Sequence, residues 1–504
     1  MSVAITRGIS LTGPEGELVD IEVDVSQGLP GYQLLGLPDA ALHEARDRIR
    51  SAISNSGKRW PNNKVTVSLS PAWLPKSGSG FDLPISIAIL NATNQIPNID
   101  LRETILIGEL SLEGSIRAIR GLLPMLLAAE KQGMRRAIVP EGNYNEARLV
   151  SQLEIIPAAN LIHAIALLAG VEMPEQIPIV EVEEDFYSCD FADVAGQIEA
   201  KRGLEIAATG GHHIVMMGPP GTGKTMLAER LPTILPTLND FQVREVAAIH
   251  SIAGSSQLPS VLRRVPPFIS PHHTTTSAGM VGGGTKIIRP GACSLSHHGV
   301  LFIDEAPECA QGILDSLRQP LESGLIDITR AIGTTRFPAR FILILAANPC
   351  PCGRFSGKGR ACQCSSLQVR RYLQRLSGPL LDRIDVKLRV ENPTRAEIAS
   401  TEPRESSAAM RARVERGRAT ASERFAGLNF SLNSGIPSEM LRTKFRANSK
   451  AMSALHILIE RDEITARGFH KILRLAWTIA DLRGVTVPGI DEVDEALRLR
   501  TENH

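Results

Sequence analysis

The chain has 504 residues, enough for about three domains, with 43% hydrophobic residues and a formal net charge of +1. That balance excludes a surface that binds nucleic acid everywhere, so any such contact has to come from local basic loops. No apolar run reaches the roughly 18 residues of a membrane span, and the opening MSVAITRGIS lacks the apolar core and cleavage site of a signal peptide. Four of the seven cysteines crowd between Cys350 and Cys364, which is not the pattern of a secreted disulfide framework. A cytoplasmic protein is expected.

In the first third, residues 18–25 and 64–69 alternate apolar and polar side chains and predict half-buried strands. Residues 39–54 carry Ala41, Leu42, Ala45, Ile49 and Ile53 at helical spacing, residues 81–90 form another apolar segment, and 121–132 predict a further helix. The expectation is an α+β domain over residues 1–170. Within it, GELSLEGSIRAIRGLLPMLLAAEKQGMRRAIVPEGN resembles the proteolytic domain of Lon protease and the related C-terminal domain of RadA, a fold of the ribosomal S5 domain 2 type. Lon works through a Ser-Lys dyad whose serine lies in a P-K-D-G-P-S segment. Here Pro75-Lys76-Ser77-Gly78-Ser79-Gly80-Phe81-Asp82 puts Gly80 where the nucleophile belongs, and Leu123 and Met125 take the lysine positions of Lon's G-G-L-K-E-K. Without an amine to act as base, Ser77 or Ser79 stays a weak nucleophile at neutral pH. The domain is expected to serve assembly or binding.

Residues 171–190 are Pro- and acid-rich without periodicity, as in a linker, and residues 198–209 are helical. Then Gly218-Pro219-Pro220-Gly221-Thr222-Gly223-Lys224-Thr225 fits G-x-x-x-x-G-K-[ST]. Its glycines let backbone N–H groups converge on phosphate oxygens. Lys224 can charge-pair with the β- and γ-phosphates and the Thr225 hydroxyl can ligate Mg²⁺. The apolar run 214–217 before it suits a buried strand, and 225–231 can open a helix whose N-terminus favours an anion. About 80 residues on, Val300-Leu301-Phe302-Ile303 deliver Asp304 and Glu305, one to hold Mg²⁺ and one to deprotonate the attacking water. A third apolar strand, 341–347, ends at Asn348. Three buried strands separated by helices predict a doubly wound parallel sheet, an α/β P-loop core over 191–393 with ATP and Mg²⁺ at its carboxyl edge.

Two insertions interrupt this core. Residues 267–299 hold His272 and His273, the run Gly282-Gly283-Gly284, which reads as too flexible for regular structure, then Lys286 and Arg289. Residues 324–337 alternate and turn at 331–334, predicting a hairpin with Arg330 and Arg336 near its tip. Gly-rich basic loops without aromatics suit contact with nucleic-acid phosphates rather than base stacking; solvated loops are the other reading. After Asn348, Cys350, Cys352, Cys362 and Cys364 are spaced C-x-C-x9-C-x-C. Four thiolates could close a structural Zn²⁺ site; free thiols are the other reading. The last stretch, 394–504, predicts helices at 408–426, 438–445, 450–460, 465–483 and 490–500, with Ile472, Leu475, Ala476, Ile479 and Leu482 on one face.

GLPDAALHEARDRIRSAISNSG, GPPGTGKT, SPHHTTTSAGMVGGGT, GVLFIDE, LRQPLESG, NPCPCG and SGPLLDRID together resemble the YifB/ComM family of magnesium-chelatase-like AAA+ ATPases. The resemblance implies an AAA+ core with a helical lid, and a nucleotide base lying against residues 193–197. It implies that Asn348 is the sensor-1 residue and that Arg467 is a sensor-2 arginine facing the γ-phosphate. Arg383 would reach into the neighbouring subunit's ATP, which requires a ring. The two insertions would be the helix-2 insert and pre-sensor-1 hairpin, whose Lys286, Arg289, Arg330 and Arg336 would hold DNA in the pore. Some family members are hexameric DNA helicases that drive branch migration in recombination during natural transformation. Two other readings stand beside this: a motor for metal insertion into a tetrapyrrole, which here lacks a D-x-S-x-S segment, and an ATP-dependent protease, which lacks its dyad.

Overall fold

The computed structural model describes residues 3–36, 39–76, 78–97, 99–171, 189–284, 288–330, 333–355, 362–400 and 402–500. Two sheets organise the chain.

The first is built from residues 4–158 and has seven strands, in the order Gly31–Leu35, Lys64–Ser70, Glu15–Ser26, Ala4–Thr12, Thr104–Leu106, Arg136–Pro140, Glu154–Ala158. It is antiparallel where Glu15–Ser26 meets its two neighbours and parallel elsewhere. Alternation decides which side is buried: Val19, Ile21 and Val23 lie inside, while Asp20 and Glu22 between them face the other side. Helix Ala40–Asn55 is capped by Asp39, whose carboxylate accepts the Leu42 N–H (3.0 Å), and buries Leu42, Ala45, Ile49 and Ile53 as its spacing predicts. The apolar segment near residue 85 is the helix Asp82–Ala92, buried nearly all round.

The second sheet has five strands, all parallel, in the order Phe268–Ile269, Val300–Ile303, Ile342–Ala347, Ile214–Met217, Val386–Arg389. The three predicted strands are its centre, and two short edge strands complete it. Successive side chains face opposite cores. Ile214, Met216, Phe302 and Ile344 point into a cluster shared with helices Ile198–Gly210 and Lys224–Ile234 and the C-terminal helices, while Val215, Leu301, Ile303 and Leu345 point toward Met280, Ile328 and Phe337. The predicted C-terminal helices are present as Ser407–Arg424, Ser438–Arg442, Ser449–Glu460, Ala466–Arg483 and Ile490–Arg500. Among the described residues, no helix is long and apolar enough to cross a membrane.

Two contacts fix the parts to one another. Asp385, buried after Arg383, accepts from Lys471 (2.8 Å) and pairs with His212 (3.2 Å), whose other ring nitrogen meets Thr478 (2.8 Å). Burial alone would raise the Asp385 pKa, but Lys471 and His212 hold it well below the usual carboxylate range. This ties helix Ala466–Arg483 to the edge of the second sheet. On the opposite side, helix Leu122–Lys131 lays Leu122, Leu123, Met125 and Leu126 against Val243, Val246 and Ala247 of helix Asp240–Ala253. The two positions at which Lon carries its lysines thus lie in an apolar seam between the sheets. Lys76 is buried and donates to the Leu69 and Pro71 carbonyls, so its amine closes a turn. Ser77 lies outside the described residues.

Candidate functional site

The strand Ile214–Met217 lies between the middle strand Ile342–Ala347 and the edge strand Val386–Arg389, so the loop that leaves its carboxyl end opens beside the end of the middle strand. Gly221 (φ +80°) and Gly223 (φ +88°) adopt left-handed backbone that a side chain resists, and the helix Lys224–Ile234 starts at once. Gly218 is held by contact: a Cβ there would lie 2.1 Å from the Val390 carbonyl. Thr222 Oγ1 donates to Pro219 O (2.9 Å), closing the loop on itself. Lys224 is buried and its Nζ donates to Gly218 O (2.7 Å), Pro219 O (2.9 Å) and Asn348 Oδ1 (3.2 Å). Burial lowers its pKa against the opposing pull of Asp304 and Glu305. The adjacent strand Ile342–Ala347 therefore delivers Asn348 to the amine expected at the phosphates.

One strand further out, Val300–Ile303 ends in the acids. Thr225 Oγ1 donates to Asp304 Oδ2 (3.0 Å), so the two groups that would hold Mg²⁺ stand side by side. Glu305 is left-handed (φ +48°), unusual for a side-chain-bearing residue, and its N–H donates to Asp304 Oδ1 (2.9 Å). The turn at Glu305 separates the two carboxylates, leaving Asp304 at Thr225 and Glu305 about half exposed. Beside the loop, a cleft of about 480 Å³ is lined by Val194, Gly196, Ile198, Lys201, Arg404 and Met410. Gln197 joins it to the loop by donating to Thr222 O (3.3 Å).

Arg383 and Arg467 stand elsewhere. Arg383 ion-pairs with Glu322 and donates to Pro379 O (2.6 Å), while Arg467 pairs with Asp382 (3.2 Å). Among the described residues, neither bonds to the phosphate loop, the two acids or Asn348. The two arginines are brought to one place by the adjacent Asp382.

The insertions differ from expectation in two ways. The glycine run is not irregular: Gly282–Gly283 pair as a short strand with Arg289–Pro290. The glycines there permit close approach, since a Cβ on Gly282 would lie 2.7 Å from both Arg289 O and Ile328 Cδ1. The hairpin forms, with Leu325–Arg330 against Gly333–Pro338, but Arg336 is opposite Asp327, well below the tip, and ion-pairs with it at 2.7 Å. Arg330 does sit at the tip and donates to Gly284 O (3.3 Å), linking hairpin and insert. Arg289 is exposed, and Lys286 lies outside the described residues.

The four cysteines converge. Cys350, Cys352 and Cys362 sulfurs lie 3.4, 3.6 and 3.7 Å apart, and all four ligand atoms, Cys364 included, fall within 4.8 Å of one another. A tetrahedral metal–thiolate site with bonds of about 2.3 Å has sulfur–sulfur edges of about 3.8 Å. The set therefore fits a metal, which would be held by these four side chains. The cluster abuts the phosphate loop: Gly353 is left-handed (φ +71°), and a Cβ on it would meet Pro220 Cδ at 2.6 Å. A second cluster, Glu245 with His297 and His298, has metal-like spacing. His297 Nδ1 accepts the Arg340 N–H (3.0 Å), which leaves the proton of the neutral ring on Nε2 facing Glu245, so this cluster fits hydrogen bonding.

The parallel five-stranded sheet, phosphate loop, paired acids and Asn348 define a P-loop ATPase of AAA+ type. Residues 190–398 match the family description "Magnesium chelatase, subunit ChlI", 21–143 match "Subunit ChlI of Mg-chelatase", and 404–500 match "Magnesium chelatase, subunit ChlI C-terminal". The chain is 41% identical over 490 residues to competence protein ComM of Haemophilus influenzae, covering 96% of this chain and 94% of ComM. It is 39% identical over 501 residues to YifB of Escherichia coli (99% and 97%) and 44% identical over 503 residues to the protein Rv2897c of Mycobacterium tuberculosis (99% of each). The chain belongs to the YifB/ComM family of magnesium-chelatase-like AAA+ proteins.

Lys224→Ala removes the buried amine that anchors the loop and would meet the phosphates. With charged hydrogen bonds worth about 1.5–3 kcal/mol each, ATP affinity should fall by about 10²-fold or more in a fluorescent-nucleotide titration. Binding within about threefold of wild type would remove the phosphate-loop assignment.

Proposed function

We propose that the protein is an ATP-driven ring motor that moves on DNA, acting in strand separation or branch migration. The observation that carries this reading is the bond from Arg330 to Gly284, which joins the exposed hairpin tip to the insert. The same insert runs back to the catalytic edge of the sheet, so hydrolysis and the basic loops are mechanically continuous. Arg330 and Arg289 offer charge to a phosphate backbone; Lys286 is assigned to the same surface from its position in the chain. Arg336 contributes less, because Asp327 neutralises it. The name of the Haemophilus relative, a competence protein, agrees with a role in DNA uptake or recombination.

Arg383 and Arg467 are read as acting on a neighbour's nucleotide, since both lie off their own chain's phosphate loop. A homo-hexamer is the assembly in which every such joint is filled. The seam of helix Leu122–Lys131 on helix Asp240–Ala253 suits an N-terminal domain that braces the motor, and the absence of lysines at 123 and 125 argues against proteolysis. The experiment is steady-state ATP turnover with and without single-stranded DNA at stated salt. DNA should raise turnover severalfold in the wild type and less in Arg330→Ala; no stimulation at low salt would leave the metal-insertion motor as the better reading.

The metal at Cys350, Cys352, Cys362 and Cys364 is read as structural Zn²⁺, four thiolates being a closed set for that ion. Elemental analysis of native protein should find about one zinc per chain, and Cys350→Ser/Cys364→Ser should find none. Because Gly353 packs on Pro220, that variant should also bind ATP about three- to tenfold more weakly. A metal-free native protein would remove the zinc reading.

A further inference from the structure

Phe355 follows the first cysteine pair and stands 46% exposed, although its ring is large and apolar. It lines a cleft of about 570 Å³ together with Val369, Leu373 and Leu381, and Cys364 borders the same space. Val369 and Leu373 belong to the helix Ser366–Leu373. A reciprocal cap fixes the start of that helix: Ser365 Oγ accepts the Gln368 N–H (3.3 Å), and Gln368 Oε1 accepts the Ser365 N–H (2.8 Å). Cys350 and Cys352 precede Phe355, while Cys362 and Cys364 precede the helix, so convergence of the four sulfurs holds the two sides of the cleft together. The helix buries Tyr372 and exposes Arg370 and Arg371. Among the described residues, neither arginine pairs with a carboxylate, nor does the exposed Arg354 beside Phe355, whereas Arg375 is taken by Glu308 (3.1 Å). Gln374 also lines the cleft, and its side-chain amide has no partner among the described residues.

We propose that this cleft binds a base of single-stranded DNA, stacked on Phe355, with Gln374 at its edge and Arg370 and Arg371 on the flanking phosphates. An apolar lining alone suits any apolar partner. Three arginines without acidic partners select an anionic one. An acidic protein segment would satisfy the arginines and leave the ring and the amide idle; a nucleotide uses all three, through its phosphate, its flat face and its donor and acceptor edge. Stacking tolerates every base, so the cleft grips a strand without reading its sequence. Its chemistry differs from that of Arg289 and Arg330, which offer charge to phosphate alone. The inference rests on the DNA reading above for its class of polymer.

The test is anisotropy titration of the full chain, with a non-hydrolysable ATP analogue present, against a labelled oligo-dT strand and an abasic strand of equal length. The abasic strand keeps the phosphates and removes the bases. Phe355→Ala should weaken oligo-dT binding by about fivefold or more, the worth of one stacked base, and abasic binding by less than about twofold. Phe355→Tyr, which keeps a ring, should bind oligo-dT within about twofold of wild type. Arg370→Ala/Arg371→Ala should weaken both strands alike and flatten the salt dependence. Oligo-dT binding by Phe355→Ala within about twofold of wild type, or an equal loss on both strands, overturns the proposal. Should Phe355→Ala fail to bind ATP, Phe355→Leu takes its place, and wild-type oligo-dT affinity in Phe355→Leu overturns it. A polyglutamate peptide that competes with oligo-dT for wild type, but not for Arg370→Ala/Arg371→Ala, while Phe355→Ala changes neither, would assign the cleft to an acidic protein and overturn it too. If Phe355→Ala loses base-dependent binding while the wild type displaces no strand, the motor reading fails and the cleft stands. If the wild type displaces strands and Phe355→Ala binds as wild type does, the cleft alone fails.

Discussion

Arg383→Ala is expected to lower ATP turnover by about 10³-fold while leaving ATP affinity within about threefold, as for an arginine that stabilises transition-state charge alone. The geometry gives the reason for expecting this from a residue that does not face its own nucleotide. In one chain Arg383 is held by Glu322, and Arg467 by the adjacent Asp382, so both guanidinium groups are grouped away from Lys224 and Asn348. In the ring proposed above, their positive charge would meet a γ-phosphate across a subunit joint. Mixing supplies the decisive readout. Arg383→Ala subunits combined with Glu305→Gln subunits create some joints with an intact acid on one side and an intact arginine on the other. Those mixtures should regain activity that neither variant has alone. If mixtures stay inactive although both variants assemble, Arg383 does not act in trans.

Glu305→Gln is expected to reduce kcat by about 10²- to 10⁴-fold, the range for a lost general base. Affinity for ATP should survive, because Lys224, Thr225 and Asp304 are untouched and Glu305 makes no bond to the phosphate loop among the described residues. Single-turnover kinetics against nucleotide titration separates the two quantities. A fall in affinity matching the fall in rate would place Glu305 in binding, with the base elsewhere.

Much of this site was legible because its elements are short-range in sequence. An apolar run followed by glycines and a lysine, or by two acids, carries strand, turn and ligand in one stretch, and Gly218 to Thr225, Asp304, Glu305 and Asn348 are all placed at one sheet edge. The edge strands were not legible: Phe268–Ile269 has two residues, and Val386–Arg389 alternates because only one of its flanks is covered. Nor was the fate of the charged residues. Nothing in the local pattern shows that Asp327 lies opposite Arg336 or that Glu322 meets Arg383, since cross-strand register and tertiary contacts decide both. The Gly282–Gly284 run misled for a related reason. Glycine reads as freedom, whereas a close neighbour at Arg289 and Ile328 is what requires it. His273 was visible only as one of a pair of histidines upstream of that run; that its Nδ1 lies 3.4 Å from Glu305 Oε2 needs the fold.

The central claim is that ATP hydrolysis at this joint moves DNA. Its most direct test is displacement of a labelled strand from a forked or three-stranded DNA by the assembled wild-type protein, with Glu305→Gln as the matched control. ATP-dependent displacement by the wild type and none by Glu305→Gln is the predicted result. No displacement by wild-type protein that is assembled and hydrolysing ATP would contradict it.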